Sequence, residues 1–229
     1  MRLLKILLVL LLLSGPLLAV WRGWLVVPAH WNPWAPLDLR LPPNLLTPVK
    51  RWRLQQDPVL CTQALATSQL RYTTLPDSAP SAACPLVNSV RIQSSAVALS
   101  NSFIASCPLA VGFALFQQHG LQPAAQAIFG QPVTRIEHYG SFACRNIAGG
   151  SRRSQHASAN ALDITGFHLQ DGRRISLARD WQGAGEAADF LRRVQAGACK
   201  AFNTTLGPDY NSAHHDHFHV DMGPYRLCR

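Results

Sequence analysis

The sequence predicts an α+β fold, with a small antiparallel sheet and helices packed on it, from three observations. Residues 217–222 alternate polar and apolar side chains, the period of a half-buried strand, and residues 161–167 read as a second strand. Asp57-Pro58 and Ser106-Cys107-Pro108 each set a capping side chain before a proline, which is how a helix N-terminus begins. Asp171-Gly172, between two β-rich stretches, reads as a hairpin turn. Helix signals gather in the first half of the chain and strand signals in the second, so the two kinds of element form separate parts of one core.

Taken in order, Arg2 and Lys5 lead into an apolar run over residues 6–20, broken by Ser14-Gly15-Pro16 and followed by Trp21, Arg22 and Trp24. No small-x-small cleavage site follows directly, so residues 1–27 are expected to be a signal anchor. Cleavage and release of a periplasmic or secreted product is the alternative. Basic residues in front place the N-terminus inside and the remainder outside, a single-pass inner-membrane arrangement with a periplasmic C-terminal domain. The run is short for a span of roughly 17–25 residues, so it is expected to extend into residues 24–27 or to tilt. Residues 28–56 are dense in proline and predict an extended tether. Trp21, Trp24, Trp31 and Trp34 are expected at the membrane interface, with carbohydrate stacking as the alternative.

Residues 57–229 are long enough for a single domain with its own core. Helices are predicted over 58–70, from Cys107 to a stop at His119-Gly120, over 121–129 and over about 185–202. Strands are predicted over 133–139, 161–167 and 173–177, with a final strand at 217–222.

Six cysteines, Cys61, Cys84, Cys107, Cys144, Cys199 and Cys228, form an even set behind an export signal and predict three disulfides, with the pairing open. They include no C-x-x-C pair, which disfavours a zinc–cysteine site. A formal net charge of +9 implies attraction to anionic cell-envelope polymers or lipid headgroups. Export and the lack of a recognised motif disfavour nucleic acid.

Two stretches carry the chemistry: Ser154-Gln155-His156 leading to Asp163, and His214-His215-Asp216-His217-Phe218-His219. A catalytic zinc takes three ligands from His, Asp, Glu and Cys and keeps a fourth position for water. His156 and Asp163 supply two, on a loop that turns back into a strand. The third comes from the last strand, whose alternation puts His217, His219 and Asp221 on one face. A solvated histidine tract is the competing reading, and the strand alternation argues against it.

Ser154-x-His156-x-x-Ala159-x-Ala161-x-Asp163 resembles the S-x-H-x-x-G-x-A-x-D signature of the zinc peptidases grouped around lysostaphin, the D-Ala-D-Ala carboxypeptidases and the hedgehog domain. From about Asp57 to Arg229 the chain also resembles the bacterial extensin-like C-terminal domain family. The peptidase resemblance implies Zn2+ held by His156, Asp163 and His219, with Asp216 as general base and His217 assisting catalysis without binding metal. It further implies that Arg145, in Tyr139-Gly140-Ser141-Phe142-Ala143-Cys144-Arg145, holds a substrate carboxylate or stabilises the oxyanion. Ala159 stands where that signature has glycine, which puts the backbone path between the ligands in question.

The leading expectation is therefore a zinc metallopeptidase acting on peptide bonds of peptidoglycan, in the manner of a DD-carboxypeptidase or endopeptidase. A non-catalytic cell-envelope binding module that keeps the zinc is the alternative, and an anchored scaffold is a third.

Overall fold

A computed structural model describes residues 18–147 and 149–229, with isolated positions before residue 18. The expected anchor over residues 6–20 lies largely outside the described residues, and among those no helix is long and apolar enough to cross a membrane. Helix α1 (Thr47–Gln56) and helix α2 (Pro58–Leu65) meet at Asp57, whose extended backbone and carboxylate cap α2 by accepting from Val59 N at 2.9 Å and Leu60 N at 3.3 Å. Helix α2 ends sooner than its predicted residue 70. The hydroxyl of Thr67 donates to the carbonyl of Ala64 at 2.7 Å and accepts from Leu39 N at 2.8 Å, so the helix end is used to dock an earlier segment.

That docking corrects the expected tether. Leu37, Leu39 and Leu54 are buried in the core, Lys50 Nζ donates to the Ala29 carbonyl at 2.7 Å, and Arg53 donates to the Pro33 carbonyl at 2.7 Å. Prolines shape residues 28–46 into an irregular path, but three buried leucines and these bonds fix that path on the domain.

Helix α3 (Cys107–Phe116) is capped by Ser106 Oγ, which accepts from Leu109 N, and is buried on nearly every side, as a central helix must be. The expected stop at His119-Gly120 is not one. The chain continues through a π turn (Gln117–Leu121) into helix α4 (Gln122–Phe129) and stops at Gly130, whose φ is 64°. Gly120 serves packing instead: a Cβ on Gly197 would fall 2.8 Å from its Cα, so both glycines permit close contact with helix α5 (Glu186–Ala201). Helix α5 buries Ala188, Phe190, Leu191, Val194, Ala198 and Ala201, one face at helical spacing.

The β-structure exceeds the single small antiparallel sheet expected. Strands β1 (Arg71–Thr74), β2 (Ser89–Ser94) and β4 (Phe103–Ser106) form a three-stranded antiparallel sheet. The larger sheet holds β3 (Ala98–Leu99), β5 (Val133–Gly140), β6 (Ala161–Leu169), β7 (Arg174–Ser176), β8 (Thr204–Leu206), β9 (Phe218–Asp221) and β10 (Leu227–Cys228). Its order is β10-β8-β9-β6-β5-β3, with β7 also on β6. The central pairs are antiparallel, while β10 on β8 and β3 on β5 are parallel. Leu162, Ile164, Phe218 and Val220 point into the helical core, all fully buried, so the intervening residues of β6 and β9 face the other way.

Three disulfides staple this arrangement: Cys61–Cys107 joins α2 to α3, Cys199–Cys228 joins α5 to β10, and Cys84–Cys144 holds the loop that precedes the histidine site. The chain has no free cysteine, as the even count predicts.

Candidate metal centre

His156 sits on a 3-10 turn (Gln155–Ser158) between the Cys144 loop and β6. Ser154 begins the turn, its Oγ accepting from His156 N at 3.3 Å, which gives the serine of the motif a structural task. The turn ends at Ala159 with φ 51° and ψ 32°, a left-handed conformation that glycine adopts without strain. The backbone therefore takes the path a glycine would, and alanine bears the cost. Asn160 follows, and its carbonyl accepts from Met222 N at 3.1 Å, which ties the start of β6 to the end of β9.

Strand pairing supplies the other two donors. Asp163 and His219 are direct cross-strand partners in the antiparallel β6–β9 ladder, so their side chains emerge side by side. His156 Nε2 lies 3.2 Å from His219 Nδ1 and 3.2 Å from Asp163 Oδ1, and His219 Nδ1 lies 2.9 Å from Asp163 Oδ1. Tetrahedral ligands at about 2.0–2.1 Å from an ion stand about 3.3 Å apart. The triangle of His156, Asp163 and His219 thus has the size and donor chemistry that one face of a tetrahedral site requires.

Outer partners fix the two imidazoles. His156 Nδ1–H donates to the Ser141 carbonyl at 2.9 Å, which leaves Nε2 with its lone pair toward the triangle. His219 Nε2–H donates to Asp221 Oδ2 at 3.1 Å, which leaves Nδ1 for the same space. Asp221 is held in turn by the Gly223 amide, 2.7 Å from Oδ1.

Beside the triangle stands a second group. His217 Nε2 is 3.6 Å from Asp163 Oδ1, and His217 Nδ1–H donates to Asp216 Oδ1 at 2.8 Å. The other oxygen of Asp216 accepts from the Tyr139 hydroxyl at 2.8 Å, and the Tyr139 ring meets the edge of His217. Both carboxylate oxygens of Asp216 are engaged. His214 packs against His217 and His219 with ring centroids 5.3 and 5.8 Å away, its Nδ1–H given to Asn211. His215 is more exposed and donates to the Ser212 carbonyl. Arg145 is exposed on the Cys144 loop, its charge felt at His214, while its backbone pairs with Ser154.

The electrostatics follow from crowding histidines on one half-buried carboxylate. Burial alone would raise the Asp163 carboxyl, but hydrogen bonds and charge from His156 and His219 outweigh it and hold it well below the usual carboxylate range. Burial would lower His219, yet Asp163 and Asp221 raise it to about 9. His214 falls to about 4 through burial and repulsion from His219 and His217. Asp216 lies below its ordinary value because the bonds from His217 and Tyr139 exceed its burial cost.

The structure brings His156, Asp163, His217, His219 and Asp216 together, with Arg145 at the edge. Sequence reasoning missed Tyr139 as a site residue and gave Asp221 no task. The alternation that placed Asp221 on the face of His219 was the available signal; an exposed tyrosine at a strand end gave none.

Residues 59–229 match the family model described as the extensin-like protein C-terminus, and the chain belongs to that family. No curated protein and no solved structure matches it significantly.

Proposed function

We propose that this member of the extensin-like family is an exported, membrane-anchored zinc hydrolase that cleaves peptide bonds in peptidoglycan. The observation that carries the reading is the donor triangle of His156, Asp163 and His219 with an imidazole held beside it but outside it. When bound, zinc supplies the Lewis acidity that makes a water nucleophilic at neutral pH and polarises the scissile carbonyl.

The chain's own residues divide the remaining work. His217 Nε2 accepts the proton that the attacking water gives up and returns it to the leaving nitrogen. Asp216, expected from the resemblance to be the base, acts here through His217: it holds Nδ1–H and stabilises the imidazolium. Tyr139 fixes the second oxygen of Asp216. Arg145, exposed at the edge and without an ion-pair partner among the described residues, receives the substrate carboxylate. Three disulfides and no free cysteine support an oxidising compartment, and the basic and apolar start of the sequence supports anchoring in the inner membrane.

Digestion of purified sacculi with the zinc-loaded protein, analysed by mass, tests the reading. New muropeptide ends made by peptide-bond cleavage are expected. Stoichiometric zinc without any released muropeptide would overturn it and leave metal-dependent envelope binding.

A further inference from the structure

Helix α1 is arranged inside out. Its inward face buries Thr47 and Lys50 with Leu54, and Lys50 is only 5% exposed with the Ala29 carbonyl as its bonded partner. Its outward face carries Val49 at 44% and Trp52 at 60% exposure, preceded by Leu45 at 88%. Val49 and Trp52 stand at i and i+3 on one side of the helix, and Leu45 lies in the turn just before it. A water-facing surface helix would reverse this, since a buried lysine and an open tryptophan both cost free energy.

This face has neighbours of the same character. Trp34 is 74% exposed, and the Arg53 guanidinium from helix α1 lies over its ring at 5.1 Å. Trp31 is 54% exposed and follows Ala29 and His30, whose carbonyls are bonded to Lys50 and Asn44. Arg22 and Arg53 supply positive charge beside this face, and Asp38, the one carboxylate of residues 18–56, is paired with Arg40.

We infer that this face, built from Trp31, Trp34, Leu45, Val49 and Trp52, rests on the surface of a phospholipid bilayer containing anionic lipid. Two observations choose lipid over a protein partner. The chemistry is that of an interfacial layer, with tryptophan rings for the headgroup boundary and arginines for lipid phosphate. The chain also delivers the face there: residues 21–28 alone separate the apolar N-terminal run from Ala29, a reach of at most about 30 Å. The domain would thus lie in a set orientation on the bilayer. The inference rests on the apolar run entering that bilayer and is independent of the chemistry assigned to the histidines.

The test uses the full chain in vesicles of phosphatidylcholine and phosphatidylglycerol, with or without a lipid brominated near the top of its acyl chains. The native chain is compared with Trp52→Phe, so that the face keeps Trp31 and Trp34 and the difference in emission isolates Trp52. Circular dichroism and intact disulfides check that both fold alike. Heavy-atom quenching requires near contact, so the emission difference that reports Trp52 should be present in plain vesicles and lost in brominated ones. Trp52 emission indifferent to bromine would overturn the proposal, and emission that instead shifts on adding sacculi would assign the face to glycan stacking.

Discussion

Replacing Asp221 by asparagine should weaken metal binding while all three ligands remain. Asp221 is 6% exposed, and its oxygens have separate tasks, Oδ2 accepting from His219 Nε2–H at 3.1 Å and Oδ1 from the Gly223 amide at 2.7 Å. A carboxylate satisfies both donors; an asparagine has one acceptor oxygen and one donating amide. If the amide turns toward Gly223, two buried donors face each other at a cost of about 1–3 kcal/mol. If it turns toward His219, the ring proton is driven to Nδ1, the nitrogen 2.9 Å from Asp163 Oδ1, and the lone pair meant for the ion is lost. Removing such an outer partner from a ligand histidine costs about 10–100-fold in affinity, or about 1.4–2.7 kcal/mol. Competition for zinc against a chromophoric chelator measures it, with circular dichroism to confirm the fold. An affinity within about twofold of wild type would refute the claim that Asp221 sets the His219 tautomer.

Zinc affinity should rise with pH, about tenfold per unit from near neutrality until it flattens near 9, because His219 must give up a proton to bind; chelator competition across that range checks it, and a flat profile contradicts it. The metal-free protein should move the other way. A folded pKa raised from 6.5 to about 9 contributes stability that is complete below the lower value and lost as pH rises through the upper one. The unfolding free energy from urea titration should therefore fall over that window, by at most about 3.4 kcal/mol. Ala159→Gly should change stability by less than about 1 kcal/mol, since relief of about 1–2 kcal/mol of left-handed strain is offset by a lost buried methyl and greater chain entropy; a loss above about 2 kcal/mol in denaturant titration would contradict that balance. Replacing Cys84 and Cys144 together by serine opens a loop of sequence separation 60, and the chain-entropy relation gives a loss of about 4 kcal/mol, read as a lower melting temperature.

Much of this architecture was legible because it rests on local chemistry. Asp57 and Ser106 are caps whose side chains have one good use, and helix α5 repeats its apolar residues at helical spacing over its whole length. The alternation around His219 placed three polar residues on one face, and the structure uses His219 and Asp221 there. The missed elements lack such patterns. Thr204–Leu206 is three residues long and wholly buried, so it shows neither alternation nor a helical period. Strand β2 mixes buried, half-buried and exposed positions without a strict alternation, so its period does not mark it as a strand. Gly120 was misread as a stop because a glycine that permits close helix contact looks the same in sequence as one that ends a helix. Proline density suggested a tether, but the three leucines docked by distant groups were a tertiary fact.

Zinc content and sacculus cleavage, measured side by side on wild type and His217→Ala, test the central claim most directly. His217 stands beside the donor triangle, so its loss should leave zinc near stoichiometric while muropeptide release falls by about 10²-fold or more. Loss of zinc from His217→Ala, or undiminished cleavage by it, would contradict the division of the site into three ligands and one proton carrier.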